Sequence, residues 1–440
     1  MLDRTLERTH LDSEIAGLVE TGAGRVHRRV YTDARVFDVE MARLFGRAWL
    51  YIGHASQVPR PGDYITADMG RQPVIMTRHT DGNIHVMMNR CAHRGPKVVT
   101  ERCGHKRQLT CLYHGWVYDT DGKLLRVPVP EGCAPGFNKA DMGLARVPRV
   151  EIYRGFVFAS LASDGPSFEQ HIGPMTANID DLVDRAPDGE IALDCGMHRY
   201  VYRGNWKLQV ENVLDSYHVP FSHASTVKRD GSQFARREGD EKGAQVVEKK
   251  PDSTASDWRK RKSYTAGHGH GWTSNTALDE GKRGSAAYDE YKRVLAAKVG
   301  EARMQEILTP KLHNTLLYPN VSIMGLNIHL RVIKPIAVDL TEVNIYPVRL
   351  VGAPDAMNAA NIRLLNVTHA AASFVQSDDL EAFARAQAGL QSEQGDWVDI
   401  SRGLGGEAST GDGPVRQGLA THEMVVRSQY QAWIEYMSAS

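Results

Sequence analysis

The sequence predicts an α+β chain in which a small all-β domain precedes a larger mixed domain. Three observations carry this. Between about residues 49 and 158, short apolar-alternating runs are separated by Gly, Pro and Asp turns. After about residue 165, helical periodicity and β alternation interleave. The length, 440 residues, exceeds what one core usually organises, so two or three domains are expected.

Residues 1–40 read as an N-terminal helical arm packing on the larger domain, because Leu11, Ile15, Leu18 and Val19 recur at helix spacing. Residues 41–165 form the β domain. Within it, Val74–Arg78 and Ile84–Asn89 flank Thr80-Asp81-Gly82-Asn83, a hairpin with Asp-Gly in its turn. A second such turn falls at Asp119–Lys123, and Arg149–Ala159 reads as a closing strand pair. Residues 166–440 form the larger domain. It opens with helical periodicity at Ile179–Val183 and alternation at Met197–Tyr202. The polar stretch from about Val227 to Thr276 reads as a long excursion or lid rather than a core element. Helical character returns over Tyr288–Leu308, strands over Ser322–Ile333 and Glu342–Leu350, and helices over residues 355–390 and Met424–Met437.

Lysine plus arginine number 53 and aspartate plus glutamate 53, so charge points to neither nucleic acid nor an anionic membrane as partner. The start, Met1–Arg8, has no apolar secretory core, and no run approaches the ~20 apolar residues of a membrane span. Cysteines number five, an odd count; Cys103, Cys133 and Cys195 read as reduced thiols, and a cytoplasmic location is expected.

Two half-motifs carry metal chemistry: Cys91-Ala92-His93 and Cys111-Leu112-Tyr113-His114. Two thiolates and two imidazoles can hold zinc. They can also hold a [2Fe–2S] cluster, the thiolates on one iron and the imidazoles on the other. Both half-motifs run into glycine, Gly95 and Gly115, which lets backbone amides turn sharply toward cluster sulfides. A structural zinc has less need of this, so the cluster is favoured.

A second constellation lies in Glu211–His223. Asp215 and His218 are three apart and would share one helix face. His218 and His223, five apart, would diverge by about 140° on an unbroken helix. Pro220 lies between them and is expected to break the helix, redirecting His223 toward His218. Two convergent imidazoles suit a two-histidine, one-carboxylate iron site. The carboxylate would come from Ser377-Asp378-Asp379-Leu380-Glu381, although acidic residues at a helix start are otherwise caps.

Asn89–Gly95 and Cys111–Trp116 resemble the signatures of Rieske non-heme iron oxygenases, specifically the large (alpha) subunit of aromatic ring-hydroxylating dioxygenases. The resemblance implies an N-terminal all-β Rieske domain and a catalytic domain whose antiparallel sheet is covered by helices, a helix-grip (Bet v 1/START-like) fold. It implies a Rieske [2Fe–2S] cluster on Cys91, His93, Cys111 and His114, and a mononuclear Fe(II) on His218, His223 and one carboxylate. Asp379 fits that carboxylate better than Asp378, which reads as a cap boxed with Glu381. The resemblance further implies a homotrimeric core, either alone (α3) or with a small beta subunit (α3β3). Electrons from NAD(P)H would arrive through a ferredoxin and/or flavin reductase, then cross from His114 of one subunit to Asp215 and His218 of its neighbour. Pro96 and Tyr113 stand where high-potential Rieske proteins carry extra cysteines, so a potential at the low end of the range, about −150 mV, is expected.

The implied reaction is dihydroxylation of an aromatic ring by O2, with a benzoate-type or other substituted monocyclic substrate. Candidate pocket residues are Asn212, Phe374, and His329 and Arg331, which alternate with apolar neighbours on a strand and could grip a carboxylate; a solvated sheet face is the plainer alternative. A monooxygenase (an aromatic hydroxylase or O-demethylase) is the alternative within the family. A Rieske electron carrier without oxygenase activity would lack the Asp215/His218/His223 set, and a zinc-stapled binding protein would be colourless. His54, His105, His198 and His369 read as packed or surface residues, Gly267–Trp272 as a substrate-side loop, and Gly403–Ala408 as a loop rather than a dinucleotide fingerprint.

Overall fold

The structure, a computed structural model, describes residues 13–223, 261–274, 285–309, 314–325, 328–411 and 413–438. It divides into two compact units, one of Met41–His171 with Ile191–Asp194, the other of the remaining residues.

The first unit is all-β in its regular sheets. Strands Ile84–Met88, Gln72–Arg78, Asp63–Met69 and Cys103–His105 lie side by side in one sheet. A second joins Leu124–Arg126, Val117–Tyr118 and Leu109–Thr110, and a third joins Arg149–Tyr153, Phe156–Ser160 and Leu50–His54. The expected hairpin forms with Thr77 opposite His85. Its turn works as the sequence suggests: Gly82 takes a φ of +85°, and Asp81 accepts the Asn83 N–H at 2.8 Å. The core beneath these sheets includes Tyr64, Ile75, Met87, Leu109, Trp116 and Tyr118, and with them Cys91 and Cys111.

The second unit is built on a nine-stranded antiparallel sheet. Its strand order is His198–Tyr202, Leu340–Pro347, His329–Ala337, Val321–Met324, Asn314–Leu317, Gly271–Thr273, Lys262–Thr265, Arg416–Leu419, Ala408–Ser409. Helices Trp206–Leu214, Asp355–Thr368, Gln376–Gly389 and Met424–Ser438 pack against it. Trp206–Leu214 starts at Asn205, whose side chain accepts the Lys207 N–H at 3.1 Å. It is anchored by a buried ion pair, Lys207 Nζ to Glu40 Oε1 at 2.5 Å, with the indole N–H groups of Trp206 and Trp433 also donating to Glu40.

Several expectations change. The described part of the N-terminal arm is not purely helical: Val19–Glu20 and Arg25–His27 form a small sheet with Trp397–Asp399. Part of the expected lid is a core element, since Lys262–Thr265 and Gly271–Thr273 pair as a hairpin inside the large sheet; residues 224–260 and 275–284 lie outside the described residues. The Gly267–Trp272 loop is the turn of that hairpin. Its His270 is buried and accepts the Tyr318 N–H on Nδ1 at 2.9 Å, which is structural work. Tyr288–Leu308 is two helices, Ala286–Val299 and Glu301–Leu308, divided at Gly300 with a φ of +85°. Ser322–Ile333 is likewise two antiparallel strands rather than one; residues 326–327 within it lie outside the described residues.

Candidate metal centres

The two half-motifs of the β unit form matched loops. Gly95 N–H donates to Cys91 O and Gly115 N–H to Cys111 O, each at 3.0 Å. Cys91 N–H donates to Pro96 O at 2.9 Å and Cys111 N–H to Trp116 O at 2.8 Å. Each loop closes over the same span, with its glycine at positive φ, +85° and +69°. Asn89 braces the first loop, accepting the Val98 and Val99 N–H groups at 2.9 and 3.0 Å and donating to Val99 O at 2.6 Å.

The donor set separates by depth. Cys91 and Cys111 are buried, whereas His93 is exposed and His114 half-buried. The imidazole centroids are 4.6 Å apart, and His93 stacks on Trp116 at 4.8 Å and 5°. Burial pushes the Cys111 thiol up, while the N–H groups of Tyr113 and His114 pull it down. Tyr118 faces Cys91 Sγ with its hydroxyl at 3.1 Å and accepts the Ala92 N–H at the same distance. Two adjacent buried sulfurs, backbone amides aimed at sulfur and two surface imidazoles fit a cluster with a sulfur-ligated inner iron and a histidine-ligated outer one. Tyr118 was missed in the sequence because its contact with Cys91 depends on the fold of a separate strand.

In the second unit, one donor atom from each of His218, His223 and Asp379 lies within 4.8 Å of the others. Asp379 Oδ1 is 3.6 Å from His218 Nε2 and 3.3 Å from His223 Nε2. Asn212 Nδ2 lies 3.2 Å from both His218 Nε2 and Asp379 Oδ1, tying the ends of the two helices together.

The backbone behind these three residues differs from a single broken helix. The helix ends at Leu214, and Asp215 is extended. The Asp215–His218 contact, Oδ2 to Nδ1 at 3.1 Å, therefore spans the gap between helices rather than one helix face. Pro220 does not break a helix either; it sits in the first turn of the short helix Val219–Ser222, where a missing N–H costs nothing. His218 and His223 flank that one turn, and their rings face each other at 5.2 Å.

Asp378 does not act as the expected helix cap. The Gln376–Gly389 helix starts after Val375 with the Ser373 hydroxyl accepting the Gln376 N–H at 3.3 Å, and Asp378 instead lies 3.3 Å from His223 Nδ1. Both histidines thus have Nδ1 engaged by a carboxylate and Nε2 turned toward Asp379; a carboxylate behind the ring fixes its orientation and leaves the other nitrogen free for a metal. Burial would depress His223, but Asp379 and Asp378 outweigh it and raise its pKa. These carboxylates call for positive charge, which a divalent cation supplies. The set fits a two-histidine, one-carboxylate ferrous site. Among the other candidates, His329 and Arg331 are buried, at 1% and 3% exposure, so they do not lie on a solvated sheet face. Phe374 is 63% exposed, which does not match the expected pocket wall.

A chain with this pair of sites has the makings of an oxygenase with two separate iron centres, one a two-iron cluster and the other mononuclear. Residues 48–147 match the Rieske [2Fe–2S] domain family, and residues 190–439 match the ring hydroxylating alpha subunit (catalytic domain) family. The chain is 35% identical over 398 residues to the toluate 1,2-dioxygenase subunit alpha of Pseudomonas putida, covering 90% of this chain and 85% of that one. It is 34% identical over 392 residues to the 2-halobenzoate 1,2-dioxygenase large subunit of Burkholderia cepacia, covering 87% and 81%. Naphthalene 1,2-dioxygenase with indole bound in its active site superposes with a TM-score of 0.81 at 26% identity, covering 96% of this chain and 94% of that one. The chain therefore belongs to the alpha subunits of Rieske ring-hydroxylating dioxygenases. Its cofactors are a Rieske [2Fe–2S] cluster and a mononuclear iron, and its reaction is aromatic ring dihydroxylation.

Proposed function

We propose that this chain is the terminal oxygenase component for a benzoate-type aromatic acid or a similar substituted monocyclic aromatic. The observation that carries the metal assignment is the triad of His218, His223 and Asp379, each histidine backed by its own carboxylate. The aromatic-acid class rests on relatives named for halobenzoate, toluate and anthranilate.

Cys91, His93, Cys111 and His114 are assigned to the cluster, and His218, His223 and Asp379 to the iron. When bound, the two groups supply single electrons and O2 activation respectively. The protein's own residues then have distinct tasks. Asn212 holds its amide against Asp379 and His218 and fixes their separation. His329 and Arg331 contribute to the substrate pocket. His114, at the rim of the second loop, and Asp215, hydrogen-bonded to His218, are assigned the two ends of an electron path. That path runs from His114 of one subunit to Asp215 of a neighbour in a homotrimeric core. A ferredoxin or flavin reductase is the proposed donor, the core is α3 or α3β3 with a small beta subunit, and the cytoplasm is the proposed location. Among the described residues, no helix is long and apolar enough to cross a membrane.

The test is a product screen over aromatic acids with a reductase supplied and isotopically labelled O2. A cis-diol or derived catechol carrying two labelled oxygens is expected. A product with one labelled oxygen, or turnover confined to fused-ring hydrocarbons, refutes the assignment.

A further inference from the structure

We propose that Arg331, Gln209 and Gln376 form an anion cradle that takes the carboxylate of the aromatic substrate. The proposal rests on the aromatic-acid reading above and names the residues that would enforce it.

Two buried donors, Gln209 and Gln376, lie one helical turn from iron-site residues, and a third, Arg331, meets Gln376 from a strand. Arg331 is 3% exposed, and Gln209 and Gln376 are fully buried. Among the described residues, Arg331 Nε, Gln209 Nε2 and Gln376 Nε2 have no hydrogen-bond partner. The amide orientations follow from their neighbours. Gln376 Oε1 accepts from Arg331 Nη2 at 3.1 Å, and a guanidinium can only donate. Gln209 Oε1 accepts the Tyr200 hydroxyl at 3.2 Å. What remains unfilled at all three residues is N–H.

Their placement brings them together beside the iron site. Gln209 is three residues before Asn212, and Gln376 three before Asp379, so each shares a helix face with its site residue. The Asn212–Asp379 contact joins those helices at the site end. Tyr200 and Arg331 sit on strands flanking Leu340–Pro347, opposite Val343 and Ile345, and so leave the sheet on the same face.

Charge selects the ligand. Arg331 carries a buried guanidinium whose described hydrogen-bond partner, Gln376, is neutral. Asp379 is already engaged by both histidines and Asn212. A buried water could satisfy the N–H groups, but it cannot balance a buried cation. A carboxylate supplies the negative charge and several acceptor lone pairs at once.

The test uses the full-length holoenzyme, kept anaerobic, titrated calorimetrically with benzoate, 2-aminobenzoate, 2-hydroxybenzoate and the corresponding amides. Gln376→Glu keeps the side-chain shape and places a competing carboxylate beside Arg331. Acid affinity is expected to fall about 10- to 100-fold in Gln376→Glu, the scale of lost charge-assisted hydrogen bonds, with amide affinity changing by less than about threefold. Arg331→Gln should act in the same direction, and Gln376→Glu keeps the test decisive if Arg331→Gln does not fold. An unchanged acid-to-amide ratio in Gln376→Glu overturns the cradle and leaves the aromatic-acid reading standing. A wild type that binds none of the acids, or binds each no tighter than its amide, overturns both.

Discussion

Removing Asp215 and removing Asp378 should have the same effect on iron but different effects on turnover. Each carboxylate orients one imidazole: Asp215 holds His218 Nδ1 at 3.1 Å and Asp378 holds His223 Nδ1 at 3.3 Å. The two carboxylates are similarly placed, with side chains 35% and 31% exposed, so solvent screens both to a similar extent. Losing such a partner weakens metal binding 10- to 100-fold in general, and this exposure argues for the lower end, about tenfold or about 1.4 kcal/mol. Asp215→Ala and Asp378→Ala should therefore lose mononuclear iron to a chelator at matched, roughly tenfold lower competition points. Cluster absorbance should stay unchanged. With ferrous iron in excess both sites refill. Asp378→Ala should then recover most of its single-turnover rate, because only ligand orientation was lost. Asp215→Ala should stay nearly inactive, because it is the proposed end of the path from the neighbour's cluster. Equal recovery of the two variants would refute the electron-bridge role, and wild-type iron retention in both would refute the orienting role.

Other consequences concern stability and potential. Lys207→Met strands the fully buried Glu40 with only two indole N–H donors. It should cost about 3–5 kcal/mol in denaturant unfolding of the chain, and a loss below about 1 kcal/mol would contradict the pairing. Tyr118→Phe removes the hydroxyl 3.1 Å from Cys91 Sγ and with it a stabiliser of the more negative reduced cluster. From a starting value of about −150 mV, a redox titration should find the potential lower by on the order of 60 mV; no change would sink the assignment. Burial pushes the Glu211 carboxyl from its ordinary 4.5 up to about 7, against the hydroxyls of Tyr430 and Tyr31 that donate to it. The folded state then holds a proton that the unfolded chain has already lost, so stability should fall as pH rises through that window. Glu211→Gln should flatten this slope in unfolding midpoints measured across the window; an unchanged slope would assign it elsewhere.

The parts legible in the sequence are those whose chemistry is local. The Asp81-Gly82 turn closes through a side chain two residues away, and each cluster loop closes through a glycine four residues from its cysteine. Such contacts follow from the order of a few residues. The parts that escaped are set by distant pairs. The His223–Asp378 contact spans 155 positions and the Asn212–Asp379 contact 167, so no spacing rule distinguishes Asp378 as a histidine partner from Asp378 as a helix cap. Arg331 shows the same limit in another form. Alternation placed it on one face of a strand, but only the helix above that face determines whether the residue meets water or Gln376.

The position of Pro220 explains how the three donors come together. A proline inside a continuous helix would have left Asp215 and His218 on one rigid face and swung His223 away by an angle the proline happened to set. Instead the chain stops at Leu214, runs extended through Asp215 and restarts at Val219 with Pro220 in the first turn. His218 and His223 then bracket a single turn, so their separation is fixed by helix geometry rather than by a kink. Asp215, released from the helix, can reach His218 Nδ1 while its other oxygen accepts the Tyr217 N–H. Asp378 and Asp379 are adjacent on the first turn of a second helix, so one reaches the back of His223 and the other the front of both rings. The ligand set therefore depends on where two helices start and stop. Substitutions that extend the first helix through Asp215 should disperse it even with every ligand present.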